Sequence, residues 1–256
     1  TSEECFNDPD LHLEAMKGLM QVLEKRHAEG KPTTEEDVLD GVLALGMAHS
    51  RMQEWDECKA CYKRAKEGFV RLLGEDSAKS VNAAYSVVSQ LPSDDEEIAE
   101  LRRLWEMAKV SLPEEAITYL IANQLGSKLD DQGKYEEAKV FHLAALEGRT
   151  RVLGDEHKKT LGSLNNMGNL LHNMEDYEGA LGYYQQALRV KEKTLGKTHP
   201  DTLMTIMNMA LTYVDGLKDF AKAEEMYRQA LDVYEKSLGK EHEDTKRCAK
   251  NLAILY

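Results

Sequence analysis

The sequence predicts an all-α stack of antiparallel helix pairs, a repeat solenoid, on three observations. First, the chain repeats itself. Leu164, Met167, Gly168, Tyr177, Ala180, Tyr184, Ala187 and Leu188 recur as Ile206, Met209, Ala210, Phe220, Ala223, Tyr227, Ala230 and Leu231. The shift is 42 residues before Asp215 and 43 after it, so one residue is gained near Asp215-Gly216. A fixed long period marks a stacked architecture, because one helix pair cannot bury its apolar face alone. Second, apolar residues within each copy fall three and four apart, the spacing of amphipathic helices. Third, each copy closes on a similar phrase, Leu195-Gly196-Lys197-Thr198-His199-Pro200-Asp201-Thr202 and then Leu238-Gly239-Lys240-Glu241-His242-Glu243-Asp244-Thr245.

Taken in order, residues 11–33 read as an N-terminal half-unit. Leu13, Met16, Leu19/Met20 and Leu23 give one apolar helix face, ended by Gly30-Lys31-Pro32. Repeat 1 spans 34–76 and opens with Thr34 three residues before Asp37, a capping-box pattern. Gly46, Trp55, Cys58, Tyr62 and Ala65 hold the packing places. Repeat 2, 77–113, is worn: a Leu91-Pro92-Ser93 break replaces the usual turn, and its second helix reads as a turn shorter. Repeat 3 spans 114–157, repeat 4 spans 158–199 and repeat 5 spans 200–242. Residues 243–256 begin a further unit.

Small residues at Gly46, Gly126, Gly168 and Ala210 let the second helix approach. Ala180, Tyr184 and Ala187 answer from that helix as small, large, small. An aromatic at the second helix start (Trp55, Tyr135, Tyr177, Phe220) wedges the turn. Gly154, Gly196 and Gly239 suit a left-handed residue past a helix end. Thr198, with Pro200 and Asp201 following, reads as the start of the next helix.

These offsets resemble the tetratricopeptide repeat. The 42-residue period and the Leu-Gly-x-x-His-Pro-x-Thr closing are similar to its kinesin light chain and nephrocystin-like subclass, over about residues 34–256. The resemblance implies a right-handed superhelix whose concave wall, built from first helices, holds peptides or partner helices. It also implies a non-catalytic adaptor or scaffold, in a cytoplasmic setting that includes motor- and cilium-associated proteins.

On that geometry the peptide-binding places are Asn123, Ser127, Asn165, Asn169, Asn173, Met207 and Leu211, with Leu43, Met47, Arg51, Tyr85, Ser89, Asp131, Asp215 and Lys250 also facing the groove. Asparagine donates and accepts at once, so a row of it can hold an extended backbone of any sequence. Solvated helix positions are the other reading of the same residues. Asn166, Asn208 and Asn251, one place later, read as bonds to backbone across repeat junctions.

A net charge of −13 excludes a basic nucleic-acid footprint and slightly favours neutral or basic partner segments. Oligomeric state is not legible. No apolar run nears the ~18–20 residues of a membrane span. Thr1–Cys5 carries no basic start or apolar core, so no signal peptide is expected. Four scattered cysteines fit a reducing compartment. Cys58 and Cys61 have CxxC spacing without a second pair, so no metal or other cofactor is expected. His157, His199 and His242 read as cap or packing residues. No phosphate-binding loop, nucleophile elbow or convergent carboxylate pair is present, and no enzyme activity is expected. The alternatives are a structural subunit held through its convex or edge surfaces, with Pro92 and Trp105 as docking features, or the sensor arm of a larger signalling ATPase.

Overall fold

A computed structural model describes residues 8–256. The readings placed on Thr1–Cys5, including Cys5 itself, lie outside the described residues. The described elements are α-helices with one π-helical turn, and the fold is that of a tetratricopeptide-like solenoid. The chain divides into two compact units, Thr1–Ile121 and Ala122–Tyr256.

In the first unit lie α1 (Pro9–Ala28), α2 (Glu35–Arg51), α3 (Trp55–Leu73), α4 (Ala78–Val88) and α5 (Asp94–Ser111), and α6 (Ala116–Asp131) spans the division. The second continues with α7 (Tyr135–Leu153), α8 (Lys158–Asn173), α9 (Tyr177–Thr194), α10 (Pro200–Thr212), α11 (Phe220–Ser237) and α12 (Glu243–Ala253).

The predicted capping box opens α2. Asp37 N–H donates to Thr34 Oγ1 at 3.1 Å, and Thr34 N–H donates to Asp37 Oδ2 at 2.8 Å. The small-against-large packing also holds. A Cβ on Gly168 would stand 2.4 Å from the Tyr184 ring, one on Gly46 2.7 Å from Tyr62, and one on Gly126 2.9 Å from His142. Only a residue without a side chain lets those rings lie against the first helix.

The closing phrase is a built corner, with two corrections to the sequence reading. The N-cap of α10 is His199 rather than Thr198: its Nδ1 accepts from Asp201 N–H at 3.1 Å. His157 and His242 do the same before α8 and α12. The threonine three residues on then closes the corner. Thr160 Oγ1 donates to the Gly154 carbonyl at 2.8 Å, and Thr202 Oγ1 to that of Gly196 at 2.9 Å. The glycine itself is not left-handed helical. Gly154 has φ 88° and ψ 164°, a region open essentially to glycine alone.

The worn repeat differs in the opposite helix from the one expected. Its second helix, α5, keeps 18 residues, whereas its first, α4, has 11 against 16 in α6 and α8. Pro92 cannot continue α4, and Ser93 caps α5 by accepting from Glu96 N–H. The residue gained near Asp215 is absorbed in the π-helical turn Tyr213–Leu217, followed by Lys218 at φ 54°. Tyr177 packs on that turn, where a Cβ on Gly216 would stand 2.1 Å from its ring. Trp55 and Phe220 hold the same template place but remain half exposed, whereas Tyr135 and Tyr177 are partly buried.

Candidate functional site

The candidate face is made by the first helices of the second unit. A helix turns about 100° per residue, so positions four apart drift around it. Ser127, Asn169 and Leu211 occupy one register on α6, α8 and α10, and each reaches the surface. Counting by four to the N-terminal side lands on Asn123, Asn165 and Met207, about 40° off, toward the packed side. Counting by three lands on Gln124, Asn166 and Asn208, which flank the exposed row with Asp131, Asn173 and Asp215.

That drift changes two of the sequence-predicted site residues. Asn165 is 8% exposed and Met207 4%. Asn165 Nδ2 donates to Thr205 Oγ1 at 3.1 Å, tying α8 to α10, and Met207 belongs to the core shared with Tyr213 and Tyr227. Neither offers a contact to a partner. Asn123 is half-buried, its Oδ1 accepting from Arg149 Nη1 and Asn166 Nδ2, both at 3.0 Å.

The others reach the surface, and Asn169 and Asn173 are each tied to a neighbouring helix. Asn169 Oδ1 accepts from Tyr184 OH at 2.7 Å and from Asn208 Nδ2 at 3.0 Å. Asn173 Nδ2 donates to Asp130 Oδ1 at 2.9 Å. Asn166 and Asn208 therefore do cross the repeat junction, but to a side-chain amide rather than to backbone. These bonds use one end of each amide. Among the described residues no hydrogen bond takes up Asn169 Nδ2 or the Asn166, Asn173 and Asn208 oxygens, which leaves a mixed row of donors and acceptors. Exposed Met204 and Leu211 border the row on α10. The signal for Gln124, Asn166 and Met204 was present in the sequence as a strict 3.6-residue count.

Beneath the face lie two buried cations that sequence reasoning missed. Arg149 Nη1 donates to Ser163 Oγ at 2.7 Å and to the Lys159 carbonyl at 3.2 Å. One repeat on, Lys191 Nζ donates to Thr205 Oγ1 at 2.9 Å and the Asp201 carbonyl at 3.1 Å. Phe69 and Tyr234 fill this place in other repeats, which was the available clue. Burial pushes the Lys191 ammonium below its ordinary value, Asp201 partly opposing it. The unfolded chain then binds this proton more tightly than the folded one, so stability rises with pH between the depressed folded value and 10.5. Lys191→Met is accordingly expected to narrow that gain: urea midpoints of variant and parent should converge between pH 7 and about pH 10. A constant difference would show that Lys191 is not held charged against burial.

Other chemistry is muted. Cys58 is fully buried in the small-residue packing place, and burial raises its thiol and that of Cys61. Burial likewise lifts the Tyr62 and Tyr227 hydroxyls to about 12. No helix among the described residues is long and apolar enough to cross a membrane.

Comparison with known proteins agrees with this construction. The structure of BtubC (BKLC) from P. vanneervenii is similar at 18% identity and a TM-score of 0.77, over 92% of this chain and 94% of that one. A putative kinesin light chain with nearly identical repeats, from Podosopora anserina, matches at 15% identity and a TM-score of 0.68, over 80% and 99%. NprR in complex with its cognate peptide NprX matches at 16% identity and a TM-score of 0.53, over 97% and 78%. No curated protein sequence matches the chain. The tetratricopeptide repeat pattern matches residues 114–193, 159–236 and 203–256, more than half of the chain. The chain belongs to the tetratricopeptide repeat family.

Proposed function

We propose that this protein is a non-catalytic interaction scaffold that holds an extended peptide or a partner helix against the first helices of its second unit. The observation that carries the reading is the amide row on α8 and α10. Its inner bonds fix Asn166, Asn169, Asn173 and Asn208 in place, and its outer donors and acceptors stay open. Polar groups held rigid before binding lose little freedom on contact, which favours capture of a peptide backbone. NprR, a structural relative, is seen with a cognate peptide, which supports a peptide as partner. Asp131 and Asp215 at one edge of the row favour neutral or basic segments, in a partner that reaches this face in the cytoplasm.

The test is selection of a displayed random-peptide library on the chain, followed by counter-binding to Leu211→Glu and Asn173→Ala. Both residues are exposed, so helix content should hold. Recovered peptides should lose about tenfold or more in affinity on Leu211→Glu, the worth of one well-buried apolar contact. Equal binding to parent and both variants would remove the site from this face.

A further inference from the structure

The worn repeat leaves an apolar recess in the first unit, and its cause is legible residue by residue. In the regular repeats the second helix carries a leucine at Leu146, Leu188 and Leu231, and the next first helix answers the first two with Leu164 and Ile206 and the third with Ala249. Leu146 and Leu164 meet in one apolar cluster. At the junction of α3 and α4 the same two places hold Lys66 and Ala84. A leucine pair has become a charge and a methyl group.

The space they vacate is open. A recess of about 510 Å³ lies between α3, α4 and α5, floored by Ala84, Val87, Val88 and Leu91 and walled by Ala99. Ala84 and Val87/Val88 stand three to four apart on α4, with Leu91 just past its end, and offer an apolar strip against which another helix can pack. Neither Pro92 nor Trp105 lines it.

Its rim has a sign. Arg103 donates twice to Glu100, each at 2.8 Å, and Lys66 stands 3.9 Å from the same carboxylate. Arg103 also approaches Glu75 at 3.9 Å. Both cations are thereby matched from within the protein. The recess itself is lined by Glu96 and Glu100 beside the two cations, while in the adjoining pocket Glu75 faces Arg103 and Glu67 stands 3.9 Å from Lys63. Glu96 is exposed and forms no ion pair among the described residues.

We propose that this recess is a second docking site, separate from the first-helix face, and that it takes an amphipathic helix of a partner protein. That helix presents leucine-sized side chains at i and i+4 into the places vacated by the repeat's own leucines, with a lysine or arginine beside them to meet Glu96. A helix lying in an apolar groove is anchored by such a pair, and the flanking charge sets which helices are accepted.

The test uses a phage-displayed library of helices about four turns long, with leucine fixed at i and i+4 and the flanking positions randomised between basic and acidic residues. Selection on the intact chain should favour basic-flanked clones over acidic ones. Ala84→Leu refills the recess and should weaken them about tenfold or more, while Glu96→Lys should reverse the flank preference. Leu211→Glu, on the other face, should leave them unchanged. Should Ala84→Leu lower the melting temperature, Ala99→Leu closes the recess from an exposed wall position and serves in its place. Recovery of acidic-flanked clones, or loss on Leu211→Glu but not on either filled variant, would overturn the assignment. So would self-association of the chain in sedimentation that Ala84→Leu abolishes, since a second copy would then be the occupant.

Discussion

Tyr184→Ala is expected to cost about 3–5 kcal/mol of stability, the usual penalty for removing a buried aromatic side chain. Tyr184 is 2% exposed, lies flat against the gap left by Gly168, and its hydroxyl holds Asn169 Oδ1 at 2.7 Å. Tyr184→Phe separates the two contributions. It should lose only about 1 kcal/mol, the net worth of a hydrogen bond, because the ring stays in place. Urea denaturation of both variants measures the difference. A cost below about 1 kcal/mol for the alanine variant would mean that the neighbouring units close over the vacancy. The phenylalanine variant also frees Asn169 to turn, so it tests whether the amide row works as a fixed array.

His142 should make the protein acid-sensitive. It stands in the aromatic packing place against Gly126, 1% exposed, with no hydrogen-bond partner for Nδ1 among the described residues. Burial, with a smaller push from Arg149, takes its imidazole from 6.5 down to about 4. Above pH 6.5 the ring is neutral in both states and contributes nothing to the pH dependence. Between pH 6.5 and 4 the unfolded chain takes up the proton and the folded chain does not, so stability falls by roughly 3 kcal/mol. In His142→Tyr, which restores the residue that Tyr62, Tyr184 and Tyr227 supply elsewhere, this loss should disappear. The comparison is the difference in unfolding free energy between the two proteins across that pH range. Parallel curves would show that His142 is reached by protons in the folded state.

Some features were readable before any coordinates because they depend on local periodicity. A glycine facing a tyrosine, repeated at a fixed interval, admits few geometries, and Gly168 with Tyr184 is that geometry. Side-chain direction on a shared face is a finer matter. A step of three or four residues changes the bearing by tens of degrees, and this decides whether an asparagine meets a partner or the next helix. Asn169 and Leu211 are exposed, while Asn165 and Met207 fall on the packed side.

The sequence by itself determined the helix pairs, their capping glycines and histidines, and membership of the repeat family, because each follows from spacing along one or two helices. Only the tertiary structure decided which ends of the asparagines remain open. The same was true of the buried seats of Arg149 and Lys191 and of the shortening of α4 rather than α5. The asparagine bonds join atoms about forty residues apart across a junction, and the two cations reach groups 10 and 14 residues further on, in the next helix. The recess over Ala84 is the sharpest instance: two unremarkable substitutions, Lys66 and Ala84, become a cavity only when α3, α4 and α5 are brought together.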